Sequence, residues 1–266
     1  NDATFNMNDQ NQSLSALSSD SDASSVDLGS GELTLNVGAE ASFAGIISGT
    51  SGRVVKNGAG TTQTLSTANT YTGTTEVNEG TLELGFANGV TTGPITNDAN
   101  LKLNQAKGNE VTINGLQNTG TDGDFIKTGE GTAILQRENV ATPPQNAYNS
   151  LTVKQGNLEA SPDSLSNGGA VFDESSVTTE EGGTFTLDIS GGSETWNGTG
   201  TDSLVTGSGT LSVVNGALTV DTAAPNNQLT TEEVTLDLKS TATVDIDSAQ
   251  TFGGLSGSEN SILDIN

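Results

Sequence analysis

The chain has 266 residues with 8 Lys+Arg against 33 Asp+Glu, a formal net charge of −25, and contains neither His nor Cys. Those absences exclude Ser-His-Asp and Cys-His catalysis, histidine and thiolate metal sites, and any disulfide framework. The negative charge repels nucleic acid and anionic lipid, so neither is expected as a partner, and carboxylate chemistry is the one common catalytic route left open.

Hydrophobic residues make up 31 % and aromatics 4 %, against 34 glycines. That composition borders on the disordered class, but the apolar residues fall in short alternating runs. In chain order these are Leu33–Val37, Leu82–Leu84, Leu101–Leu103, Val111–Ile113, Leu151–Val153, Phe185–Ile189, Leu211–Val213, Leu218–Val220, Val234–Leu238 and Val244–Ile246. A period of two places alternate side chains on one face, which predicts half-buried strands. Gly, Asn, Asp or Ser punctuates nearly every gap, as turns require. No run reaches the ~20 apolar residues of a membrane span. The start, NDATFNMNDQ, lacks the basic and apolar regions of a signal peptide, and SILDIN ends the chain in mid-pattern. A piece of a longer solenoid is therefore expected, with an artificial C-terminal boundary.

Self-similarity separates a solenoid from a sandwich or barrel. Val55-Lys56-Asn57-Gly58-Ala59-Gly60-Thr61 is echoed by Ile126-Lys127-Thr128-Gly129-Glu130-Gly131-Thr132. Each copy continues to a leucine (Leu65, Leu135), an Asn and a Tyr (Asn69 and Tyr71, Asn146 and Tyr148), and a strand closing on Gly-x-Leu-Glu. A third, degenerate copy begins at Val205-Thr206-Gly207-Ser208-Gly209-Thr210. A strand-turn unit of roughly 20–25 residues cannot bury its apolar face alone but can when stacked on copies of itself. This predicts an all-β chain, a single parallel solenoid segment over 1–266 with about 11–13 coils, in which 1–30 is a cap or irregular start.

The segment from Phe43 to Gly85, FAGIISGTSGRVVKNGAGTTQTLSTANTYTGTTEVNEGTLELG, resembles the passenger-associated repeat of autotransporters. In that repeat F-x-G-x-I-S-G precedes K-x-G-x-G-T-x-x-L and A-N-T-Y-x-G-x-T-x-V-x-x-G-x-L follows. The resemblance implies a right-handed parallel β-helix passenger, exported through the outer membrane of a Gram-negative bacterium by a C-terminal β-barrel that this segment lacks. It also implies an adhesin, biofilm, autoaggregation or virulence role, at the cell surface or released. The Gly-Asp-Ser-Gly motif of the protease subgroup is missing, so no enzyme and no cofactor is expected.

Asp245 and Asp247 flank Ile246 and are expected to point outward ~7 Å apart, a spacing that could suit an acid-base pair or Ca²⁺ but that more simply makes a solvated strand face. Asp20 with Asp22, and Asp122 with Asp124, read the same way; with no G-G-x-G-x-D repeat present, no metal site is assigned. Trp196, the single Trp, sits in a polar glycine-rich stretch and could stack on a sugar or fold over a corner. Tyr71 and Tyr148 are expected to be structural, and Arg53 and Arg137 lie beside repeat glycines. Outward strand positions carry Thr34, Asn36, Thr112, Thr152, Thr186, Asp188, Thr219, Thr235 and Asp237. The candidate adhesive residues are therefore Thr186, Asp188, Trp196, Thr235, Asp237, Asp245 and Asp247. Their expected partners are copies on neighbouring cells, or a host surface protein or glycan. The alternatives are a carbohydrate-active β-helix using outward carboxylates and a passive spacer stalk.

Overall fold

A computed structural model of the chain describes residues 2–85, 89–90, 93–117, 123–136, 150–160, 177–189, 193–196, 205–220, 229–231, 233–246 and 250–265. The described residues contain β-strands and no helix, and every strand pairing among them is parallel. All ten predicted strands are present, from Glu32–Asn36 to Thr243–Ile246. The chain forms two compact units, one from residues up to Ile134 and the other from Ser150 onward, with the strand Thr132–Gln136 divided between them.

In the first unit the strands Gln12–Leu14, Glu32–Asn36, Arg53–Asn57, Thr75–Val77, Ile95–Asn97 and Leu116–Gln117 pair in that order. Their register is Gln12↔Leu33↔Val54↔Thr75↔Ile95↔Leu116, which is five full turns. A second sheet stacks Ala41–Phe43, Thr62–Leu65, Thr81–Leu84, Asn100–Asn104 and Asp124–Thr128. Alternation does the packing: Leu33 and Leu35, Leu82 and Leu84, and Leu101 and Leu103 are all buried, while Thr34, Glu83 and Lys102 between them face out and stay half-exposed.

In the second unit Gly156–Ala160, Gly183–Asp188, Thr210–Val214, Thr235–Lys239 and Gly254–Gly257 stack in that order, four full turns. The strands Ser193–Trp196, Ala217–Val220, Thr243–Ile246 and Ile262–Ile265 form a second sheet. The inward columns are Leu158, Phe185, Leu211, Leu236 and Ala160, Leu187, Val213, Leu238, all buried.

The described residues hold about nine turns, fewer than the 11–13 that an even repeat over the whole chain gives. The coils are uneven in length: in the second unit Thr178 meets Thr206 28 residues on and Thr186 meets Asn157 29 residues back, against 21 residues from Asn36 to Asn57 and from Asn57 to Asn78 in the first unit.

Candidate functional site

The family-like segment proves to be scaffold. Asn69 accepts a hydrogen bond from the Ile47 backbone N–H at 2.8 Å, and the Thr70 N–H returns one to the Ile47 carbonyl at 2.8 Å. The Thr72 hydroxyl accepts from the Ser51 N–H at 2.9 Å. The A-N-T-Y stretch thus holds the preceding coil through backbone groups. Tyr71 is buried, shares a 2.5 Å hydrogen bond with the Thr75 hydroxyl, and has its phenol pushed up to about 12 by burial. It is structural, as expected; Tyr148 lies outside the described residues.

The candidate residues are brought into rows by the register. On one sheet of the second unit an outward row runs Asn157, Thr184, Thr210, Thr235, and the next runs Glu159, Thr186, Ser212, Asp237, Ser256. Successive members lie one strand spacing apart, ~4.8 Å, and the rows about 7 Å apart. Thr235 and Asp237 are half-exposed. Thr186 and Ser212 are different. They are only 8 % and 5 % exposed, and Thr186 donates to the Asn157 side chain at 2.7 Å, so neither shows much surface to a partner. Asp188 is half-exposed and accepts from the Asn215 amide at 3.2 Å.

Asp245 stands on the other sheet, half-exposed, in register with Thr219 on one side and Asp264 on the other. The carboxylate that the fold sets beside it in register is Asp264, one coil away; Asp247 lies outside the described residues. Asp122 lies outside them too. The backbone of Trp196 pairs with Val220; its side chain is outside what is described. Among the described residues no three acidic side chains gather in a way that could hold a metal ion.

Asp237 receives the Lys239 ammonium at 2.7 Å and the Ser256 hydroxyl at 2.6 Å. Partial burial works to raise its pKa, but these two donors outweigh burial and bring the carboxyl below its ordinary value. A carboxyl with a depressed folded pKa contributes stability that is present above its ordinary value near 3.8 and is lost as pH falls through the lowered one. Asp237→Asn should therefore flatten the acid limb of stability below pH ~4, read by denaturant unfolding at pH 2–5. An acid limb identical to that of the parent chain would show that this carboxyl carries no such linkage.

The surface cations are largely committed within the chain. Arg53, placed by sequence beside glycines, bridges Glu32 and Glu76 on the two neighbouring coils, at 2.7 Å to the latter. Lys102 pairs with Glu83 at 2.8 Å and Lys154 with Glu180 at 2.9 Å. Lys56 and Lys127 are buried. The outward faces are thus dominated by carboxylates, hydroxyls and amides.

The family described as passenger-associated-transport-repeat matches residues 54–84. No curated protein and no solved structure shows significant similarity to the chain. The matched segment takes in all but the first residue of the strand Arg53–Asn57 and the strands Thr62–Leu65, Thr75–Val77 and Thr81–Leu84, which is the Lys56 corner together with the coil laid on it. Such a repeat suggests a non-enzymatic passenger and implies a secreted or cell-surface protein of Gram-negative bacteria. With that repeat set in a parallel β-solenoid, the chain fits an autotransporter passenger domain.

Proposed function

We propose that the chain is a cell-surface adhesin whose polar and acidic face joins copies on neighbouring cells, producing autoaggregation and biofilm. The observation that carries this reading is the half-exposed outward row Asn157-Thr184-Thr210-Thr235 in the second unit, with Glu159, Asp237 and Ser256 as the accessible members of the row beside it. A regularly spaced array of hydroxyls, amides and carboxylates can donate to and accept from a second copy of itself, and many weak contacts along the stacked coils of this unit add by avidity. The excess of acid sets the conditions. Two faces of like charge repel until counter-ions screen them, so association strengthens as ionic strength rises to about 0.15 M, where the screening length is ~8 Å.

The test displays the chain on non-aggregating cells and follows settling. Replacing Thr184, Thr210 and Thr235 together with glutamate is expected to cut the aggregated fraction by roughly tenfold, since each added carboxylate faces another across the contact. Undiminished settling after each outward row has been replaced in turn would sink the homotypic reading. Retained binding to a glycan array or to host cells would then favour attachment to a host surface.

A further inference from the structure

The three copies of the repeat corner differ at one inward position. Aligned on Gly-x-Gly-Thr, Lys56 and Lys127 of the first two copies correspond to Val205 in the third, and all three side chains are buried. Lys56 stands in the core column between Leu35 and Val77. Its ammonium donates to the carbonyls of Asn57 at 2.9 Å, Gly58 at 3.2 Å and Glu79 at 3.0 Å. That uses all three of its protons. Two acceptors belong to its own corner; the third lies 23 residues on, in the next coil. Lys127 repeats the local half, reaching the carbonyls of Thr128 at 2.6 Å and Gly129 at 2.7 Å.

A buried ammonium is a poor way to gain stability. Burial pulls the Lys56 pKa below its ordinary value even though the Glu79 and Glu40 carboxylates act to raise it. Removing such a charge in favour of a well-packed apolar side chain is often neutral or stabilising, and Val205 shows the corner closing around one. What an internal cation can supply is specificity. Parallel strands with a two-residue period are prone to slipping by two, because inward residues stay inward. In this chain the coils are also similar to one another. A slip of two that sets Val55 opposite Thr74 and Lys56 opposite Thr75 keeps Thr75 and Val77 inward but carries the Glu79 carbonyl two residues further from the ammonium, stranding a donor in the core.

We propose that Lys56, and Lys127 in the second copy, are register pins: internal cations that make a slipped coil expensive and so choose one alignment among several of similar packing. The chain has no cysteine, so two introduced ones report a single pair. Val55 opposes Glu76 in the native register, and at ~4.8 Å their Cα atoms are within disulfide reach. Val55→Cys with Glu76→Cys therefore reports the native alignment, and Val55→Cys with Thr74→Cys reports the slip of two that moves Glu79 away.

With Lys56 present the first pair should oxidise and the second should not. Lys56→Met should raise cross-linking of the second pair by roughly tenfold or more while the thermal midpoint stays the same or rises. Unchanged cross-linking of the slip pair overturns the proposal. So does a Lys56→Met chain that loses its fold or melts well below the parent, since either outcome makes the ammonium a source of stability rather than of alignment.

Discussion

Replacing Phe185 with alanine is expected to lower the unfolding free energy of the second unit by about 3–5 kcal/mol, the usual cost of deleting a buried aromatic ring. Phe185 is fully buried and lies in a column with Leu158 before it and Leu211 and Leu236 beyond. In a globular core, neighbours on several sides relax into part of the cavity. In this unit the column is fixed along its length by the parallel backbone ladder at ~4.8 Å, so Leu158 and Leu211 cannot close toward each other. Each coil also owes its stability to the coils next to it, so a weakened coil loosens both interfaces. Phe185→Leu keeps most of the volume and should cost under about 1.5 kcal/mol. Denaturant unfolding followed by circular dichroism compares the two; a loss below about 1 kcal/mol for alanine would mean that the column collapses more freely than its ladder permits.

The same thinness explains why the strands were legible in a composition so close to disorder. Two inward residues per strand are enough, as in Leu82 and Leu84 or Leu236 and Leu238, so 31 % hydrophobic content suffices and the alternation stands out against polar neighbours. The pattern fails where an inward position is polar. The strands Arg53–Asn57, Thr62–Leu65, Thr75–Val77 and Ile95–Asn97 carry buried Lys56, Gln63, Thr75 and Asn97, and none of them reads as a clean apolar-polar run. Register is harder still. Asp237 meets Ser256 19 residues on, while Thr178 meets Thr206 28 residues on, so no fixed period predicts which side chains become neighbours. Outward position was readable for Asp188, Thr235, Asp237 and Asp245, all half-exposed. Their partners across the coils, Ser256 for Asp237 and Asp264 for Asp245, were not. The similarity of Thr243-Val244-Asp245-Ile246 to Ile262-Leu263-Asp264-Ile265 was the one available hint.

The two glycines of the Lys56 corner look equivalent in sequence and should behave differently when replaced. Gly58 has φ +100, and a Cβ built on it would lie 2.1 Å from the Val37 carbonyl oxygen of the preceding coil. Alanine there meets both a left-handed backbone and a backbone atom that cannot swing aside. Conformational strain of about 1–3 kcal/mol combines with an overpacking cost of similar size, so Gly58→Ala should lose roughly 3–5 kcal/mol. It should also disturb the neighbouring ladder, because Val37 donates its own N–H to the Asn57 carbonyl at 3.1 Å. Gly60 has φ +69 with no atom within 4 Å of its Cβ position. Gly60→Ala therefore pays for handedness alone, about 1–2 kcal/mol. Gly60→Asn should cost less, since asparagine is among the side chains that best accept this conformation and occupies it elsewhere in the chain at Asn8, Asn215 and Asn260. Equal losses for Gly58→Ala and Gly60→Ala would mean that backbone handedness, not the close approach of successive coils, is what the corner demands of Gly58.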